Sequence, residues 1–158
     1  MNGRTHLMGG IAVGVAALGA AAPSLSIVQS SLLVGAAAFG SLLPDIDLQT
    51  SKAGHALRPA SFLIQHIFGH RTLFHSPILY LWIYFMLRIG LPQYNRYWYY
   101  ALLGVASHLA LDMLNSKGIP LFYPCTKRFH IASFSVNGLA EYLIQLVLGG
   151  IIAVQIFN

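Results

Sequence analysis

Ile27-Val-Gln-Ser-Ser-Leu-Leu-Val-Gly-Ala-Ala-Ala-Phe-Gly-Ser-Leu-Leu-Pro-Asp-Ile-Asp47 is an apolar run without a charge until it stops on a proline and two carboxylates. A bilayer core takes about 20 apolar residues to cross as a helix, and residues 27–43 approach that length. The stretch therefore reads as a membrane helix with an acidic pair at its end. The composition agrees: 56% of the chain is hydrophobic and 8% charged, with a mean hydropathy of +0.66, whereas soluble domains carry about 25% charged residues.

Working outward, similar runs occur at 7–22, 73–90, 97–114 and 138–157. The expected fold is all-α: a polytopic membrane bundle of about five transmembrane helices, forming one domain over residues 1–158. Pro23-Ser24-Leu25-Ser26 is long enough only for a turn followed by a helix cap, so the first two runs form a hairpin. Longer polar stretches follow Leu48 and Asn115, with a short connector at 91–96. The Ala/Gly bias of the first two runs suits close helix packing in lipid. Arg4, the first apolar run and Ala20-Ala21-Ala22 also resemble a secretory signal. The run has a helix partner in 27–43 and carries His6 at its start, so the segment is expected to stay in the protein.

Threading the runs alternately through the bilayer brings the polar clusters to one side. His6 precedes the first run, Asp45 and Asp47 follow the second, and His70 and His75 open the third. His108 and Asp112 close the fourth, and Glu141 opens the fifth. That side also carries Arg4, Lys52, Arg58, Arg71, Lys117, Lys127 and Arg128, against Arg88 and Arg96 opposite. The positive-inside rule makes the cluster side, and the N-terminus, cytoplasmic.

The chain has four acidic residues, and three of them accompany histidines at helix ends. His108 and Asp112 are four apart, which puts them on one helix face a turn apart and suits two ligands of one ion, or a ligand and its supporting carboxylate. Carboxylates buried at a membrane need a counter-charge, and a divalent metal supplies one. Mixed imidazole and carboxylate donors favour Zn²⁺, Mn²⁺ or Fe²⁺ over Mg²⁺ or Ca²⁺, as one ion or two. His55, His66 and His130 read as ordinary polar residues, and Cys125 as a buried or loop thiol. The aromatics around Arg96 read as an interfacial belt, with no sign of a nucleic-acid platform.

His6, then Leu42-Leu43-Pro44-Asp45-Ile46-Asp47 with Ser51, then Gly69-His70-Arg71 and His75-Ser76, then Ser107-His108 with Asp112, Gly118 and Pro124 together resemble the YdjM-like inner-membrane proteins, described as metal-dependent hydrolases. The resemblance runs from His6 to about Glu141. It implies ligand roles for His6, Asp45, Asp47, His70, His75, His108 and Asp112, and a place in the bacterial inner membrane. The family's third cluster usually reads His-Arg-Gly-x-Thr-His-Ser; here Thr72 replaces the glycine and Phe74 the threonine, which changes the loop but leaves both histidines.

A metal with a coordinated water provides for hydrolysis. Arg71, between two histidines, is placed to hold an anionic oxygen in a planar fork, and Glu141 or an unligated Asp to take a proton. Surrounding basic residues point to a phosphoester or lipid-linked anionic substrate among the membrane lipids. A divalent-cation transporter, or a metal-binding scaffold without catalysis, are the other readings. A carrier would hold its ligands near the midplane with polar groups on both faces; these cluster at one end. The protease motif His-Glu-x-x-His is absent.

Overall fold

The computed structural model describes residues 1–21, 25–48, 51, 54–55, 58–68, 73–125 and 127–157. Six α-helices lie among them: α1 Gly3–Ala21, α2 Ile27–Gly40, α3 Arg58–Phe68, α4 Pro77–Gly90, α5 Asn95–Met113 and α6 Leu139–Phe157. Single 3-10 turns at Leu43–Asp47 and Leu73–His75 follow α2 and precede α4. A third, Pro92–Tyr94, joins α4 to α5. Two short strands, β1 Ile119–Pro120 and β2 Arg128–Phe129, pair antiparallel in the segment between α5 and α6.

Local chemistry sets the helix starts. Asn2 opens α1, its side-chain oxygen accepting the Arg4 and Thr5 N–H groups at 3.0 and 3.1 Å. Ser26 caps α2 through a reciprocal pair with Gln29, each side chain accepting the other's N–H at 3.2 Å, which satisfies donors the helix itself leaves open. Proline stands in the first turn of both the Leu43–Asp47 turn and α4, where its missing N–H costs nothing.

α5 is the hub, packing on α1, α2 and α4, while α6 leans on α1. The contact between α2 and α5 depends on two glycines. A Cβ on Gly40 would run into the Ala101 carbonyl, and one on Gly104 into the Ala37 carbonyl. With hydrogen in those places the backbones touch, the packing that small residues provide between membrane helices. Leu33, Ala37 and Tyr100 close this interface, and Tyr80, Val105, Leu109 and Ile119 form a second apolar cluster beneath α4.

The outer faces are apolar. Leu143, Leu146, Val147 and Val154 on α6 and Leu81, Trp82, Phe85 and Ile89 on α4 are all exposed, more apolar surface than a soluble monomer leaves open. Two helical stretches are long and apolar enough to cross a membrane, Ile27–Asp47 and Leu139–Phe157; α4 is apolar but shorter. α1 and α5 match two further expected runs in position, yet Arg4 and His6 in one and His108 and Asp112 in the other dilute their hydropathy. The five apolar runs are thus present as helices among the described residues, of which two meet the length and composition of a membrane span. The stretch after Leu48, read as polar loop, contains the amphipathic α3, with Phe62 and Leu63 exposed.

Candidate metal centre

Four elements bring their polar ends together. The first turn of α1 carries His6, the turn after α2 carries Asp45 and Asp47, the turn before α4 carries His75, and the last turns of α5 carry His108 and Asp112. His6, Asp47, His75, His108 and Asp112 are all buried, and Asp45 keeps 15% of its side chain exposed. Six of the seven expected ligands therefore meet. The seventh, His70, lies outside the described residues, as does Arg71 with its expected anion-holding role.

The orientation of each imidazole can be read from its second nitrogen. His108 Nδ1 is 2.7 Å from the Ser41 carbonyl. A carbonyl only accepts, so Nδ1 carries the hydrogen and Nε2 keeps its lone pair. That lone pair faces Asp45 Oδ1 and Asp112 Oδ2, each at 3.8 Å. His75 is arranged the same way by another partner: Nδ1 lies 3.3 Å from Asp47 Oδ2, and Nε2 faces Asp112 Oδ2 at 3.5 Å and Asp45 Oδ1 at 4.0 Å. Backing of a ligand histidine by a carbonyl or carboxylate is the usual support of metal sites. His6 stacks on His108 with ring centroids 3.7 Å apart, and its Nε2 is 3.3 Å from Asp112 Oδ1.

Two sets of donors converge closely enough to share an ion: His6, His108 and Asp112, and Asp45, His75 and His108, the atoms of each within 4.8 Å of one another. Ligands about 2.1 Å from a tetrahedral Zn²⁺ stand about 3.4 Å apart, close to the spacing here. His6 Nδ1 and His108 Nε2 are buried without a hydrogen-bond partner among the described residues, which is costly for a polar atom and is relieved for Nε2 by a cation. The residues present fit a divalent metal. Because Nε2 of His108 belongs to both sets and binds only one ion, the arrangement suits a single ion better than two.

Glu141 takes another place than the sequence assigned, and Asp47 stands behind His75, outside the two donor sets found among the described residues, where a carboxylate can orient the ring. Glu141 is distant from this chemistry in role: Oε1 accepts from Asn2 N at 2.7 Å and from the Thr5 hydroxyl at 2.6 Å, and Oε2 from Asn137 N at 2.6 Å. Asn137 has a positive φ of 60°, a conformation asparagine tolerates. Gln145 Nε2 donates to the same Thr5 hydroxyl at 2.8 Å. With its oxygens so engaged, Glu141 clamps α6 to the start of α1 and thereby fixes His6; as the proton acceptor expected from sequence it has no geometry here. Thr5, which adjoins His6, and Gln145 and Ser41 take part here with no role assigned to them from the sequence. The Glu141/Gln145 pair, four apart in an apolar run, was a signal for the first two; Ser41 acts through its backbone and leaves none.

His55, His66 and His130 are exposed, as are Arg4, Arg58, Lys117, Lys127 and Arg128. Cys125 is exposed as well. Met1 also approaches the site, its amino nitrogen 2.8 Å from Asp112 Oδ1.

The family model for "YdjM inner membrane protein" matches residues 1–156. The chain is 34% identical over 151 residues to "Uncharacterized protein YvsG" of Bacillus subtilis, covering 96% of this chain and 89% of that one. It is 32% identical over 139 residues to "Inner membrane protein YdjM" of Escherichia coli, and equally to that of Shigella flexneri, covering 83% of this chain and 69% of each relative. No solved structure matches. The chain belongs to the YdjM inner membrane protein family, and a membrane location follows from it.

Proposed function

We propose that this member of the YdjM family is a multi-pass, metal-dependent membrane hydrolase, its N-terminus and site on the cytoplasmic face, acting on a phosphoester or lipid-linked anionic substrate. The observation that carries the reading is the bond from His108 Nδ1 to the Ser41 carbonyl, which aims the other nitrogen at Asp45 and Asp112. His6, Asp45, His75, His108 and Asp112 would hold the ion, Zn²⁺ before Mn²⁺ or Fe²⁺, and Asp47 would steady His75. Bound there, the ion supplies a Lewis acid toward a phosphoryl oxygen. Asp45, the one partly exposed carboxylate of the group, is the side chain that meets an arriving substrate, and the residue placed to take a proton from water if the ion leaves one of its oxygens free. Arg71, adjacent in sequence to His70, is assigned to the substrate's anionic oxygen.

Metal analysis by mass spectrometry of detergent-purified protein tests this, with His108→Ala/Asp112→Ala alongside and gel filtration as the check on folding. Near-stoichiometric metal in the wild type, absent from the folded double variant, followed by metal-dependent release of phosphate or alcohol from phosphoester substrates, is the expected result. Wild type that neither carries nor takes up metal would end the reading. The burial of His6, His75, His108 and Asp112 favours one competitor, a metal that only ties the helix ends together. Arg71→Ala separates the two: an enzyme loses turnover with metal and fold retained, and a tie is indifferent.

A further inference from the structure

Two apolar grooves run along the bundle on either side of a common wall. One, of about 280 Å³, lies between α2, α4 and α5 and is lined by Ala36, Phe39, Leu43, Tyr84, Trp98 and Ala101 among others. The second, of about 370 Å³, lies on the other side of α4 and α5, against Pro77, Leu103, Ala106, Leu109, Met113 and Ile119. Tyr80, Leu102 and Val105 line both and form the wall between them.

Each groove is lined at one end by residues next to the site in sequence, although none of the His or Asp donors lines either groove. In the first, Leu43 is two residues from Asp45. In the second, Pro77, Leu109 and Met113 follow closely on His75, His108 and Asp112. The wall ends there too: the Tyr80 hydroxyl donates to the Phe74 carbonyl at 2.9 Å, next to His75, and lies within electrostatic reach of Asp45 and Asp47. From Tyr97 to Val105 the first groove follows α5 for about 12 Å at 1.5 Å per residue. An occupant that fills both grooves is apolar in two parallel arms, and the Tyr80 end is the one nearest the polar centre.

We infer that the paired grooves hold the two acyl chains of an anionic glycerophospholipid whose phosphate lies at the His/Asp centre, with Tyr80 seated between the chains. This rests on the metal reading above and names the substrate class for it. A lipid of the ordinary boundary layer would have no reason to place its phosphate at the ion, nor to leave when one groove is filled.

The test uses the full chain loaded with Mn²⁺ and supplied with dioleoyl phosphatidylglycerol. Native mass spectrometry should find one diacyl lipid per protein, and the ³¹P signal of that lipid should broaden with Mn²⁺ bound and recover when Zn²⁺ replaces it. Filling either groove, by Ala36→Phe or Ala106→Phe, should lower diacyl-lipid retention about tenfold, roughly 1.4 kcal/mol, with metal content unchanged, while a single-chain lysolipid still binds. Lipid held equally by wild type and both variants, or a sharp ³¹P signal beside bound Mn²⁺, would overturn the inference. Should the variants fail to fold, the two wild-type measurements decide it alone. Failure of Mn²⁺ to bind defeats the metal reading instead, and lipid retention then judges the grooves separately.

Discussion

Glu141 and Asp112 are both buried acids at helix ends, yet they sit in opposite kinds of surroundings. The Glu141 oxygens receive three hydrogen bonds of 2.6–2.7 Å from two backbone N–H groups and a hydroxyl. The second oxygen of Asp112 faces His75 and His108 nitrogens at 3.5 and 3.8 Å, beyond the range of a good hydrogen bond and near the separation of two donors around one ion. A carboxylate ringed by donors at short range is structural. Asp112 holds the Met1 ammonium at 2.8 Å on one oxygen, while its other oxygen faces imidazole nitrogens at a range suited to a shared cation, and burial alone does not tell the two acids apart.

Breaking that contrast at its strongest point means His108→Ala. Metal content is expected to fall to background, and a chelator that lowers the wild-type melting temperature should leave the variant unmoved, since a ligand at 100 times its Kd stabilises by about 2.7 kcal/mol. A variant that keeps its metal would sink the site. Glu141→Ala is the counterpart. It strands three donors and should cost about 2–4 kcal/mol of stability in a denaturant titration, with metal still bound by the protein that remains folded; metal lost at unchanged stability would make Glu141 a ligand.

Asp47→Asn sharpens the comparison within the centre. An orienting carboxylate should cost about 10–100-fold in metal affinity, measured by competition with a chromogenic chelator, against complete loss for Asp112→Ala. Equal losses would promote Asp47 to a direct ligand. Gly104→Ala tests the helix contact beneath: its methyl meets the Ala37 carbonyl, for an expected cost of about 1–3 kcal/mol and weaker metal binding through a displaced Ser41. The smallest effect belongs to His130→Ala, an exposed residue whose loss should change neither metal nor stability.

Much of this was legible in the sequence. The runs at 27–43, 97–114 and 138–157 became helices within a few residues of those limits, because membrane-length apolar stretches leave the backbone few other options. The His108/Asp112 spacing fixed a shared face. α3 is not legible because Phe62, Leu63 and Ile64 are cut off from Ile67 and Phe68 by Gln65 and His66, so its apolar residues make no membrane-length run. Glu141 was misread because the sequence locates it at the correct end but does not tell which neighbours its side chain finds there. Two of its three donors are backbone N–H groups, which every residue owns.

The same anonymity governs Ser41. Any amino acid at position 41 would present the carbonyl that turns His108, so natural variation is free to change the identity there so long as the volume stays small. The constraint passes instead to Gly40 and Gly104, whose bare α-carbons let that carbonyl arrive. In an alignment of relatives, the orientation of the central histidine should leave its evolutionary trace at two glycines rather than at the residue that supplies the bond.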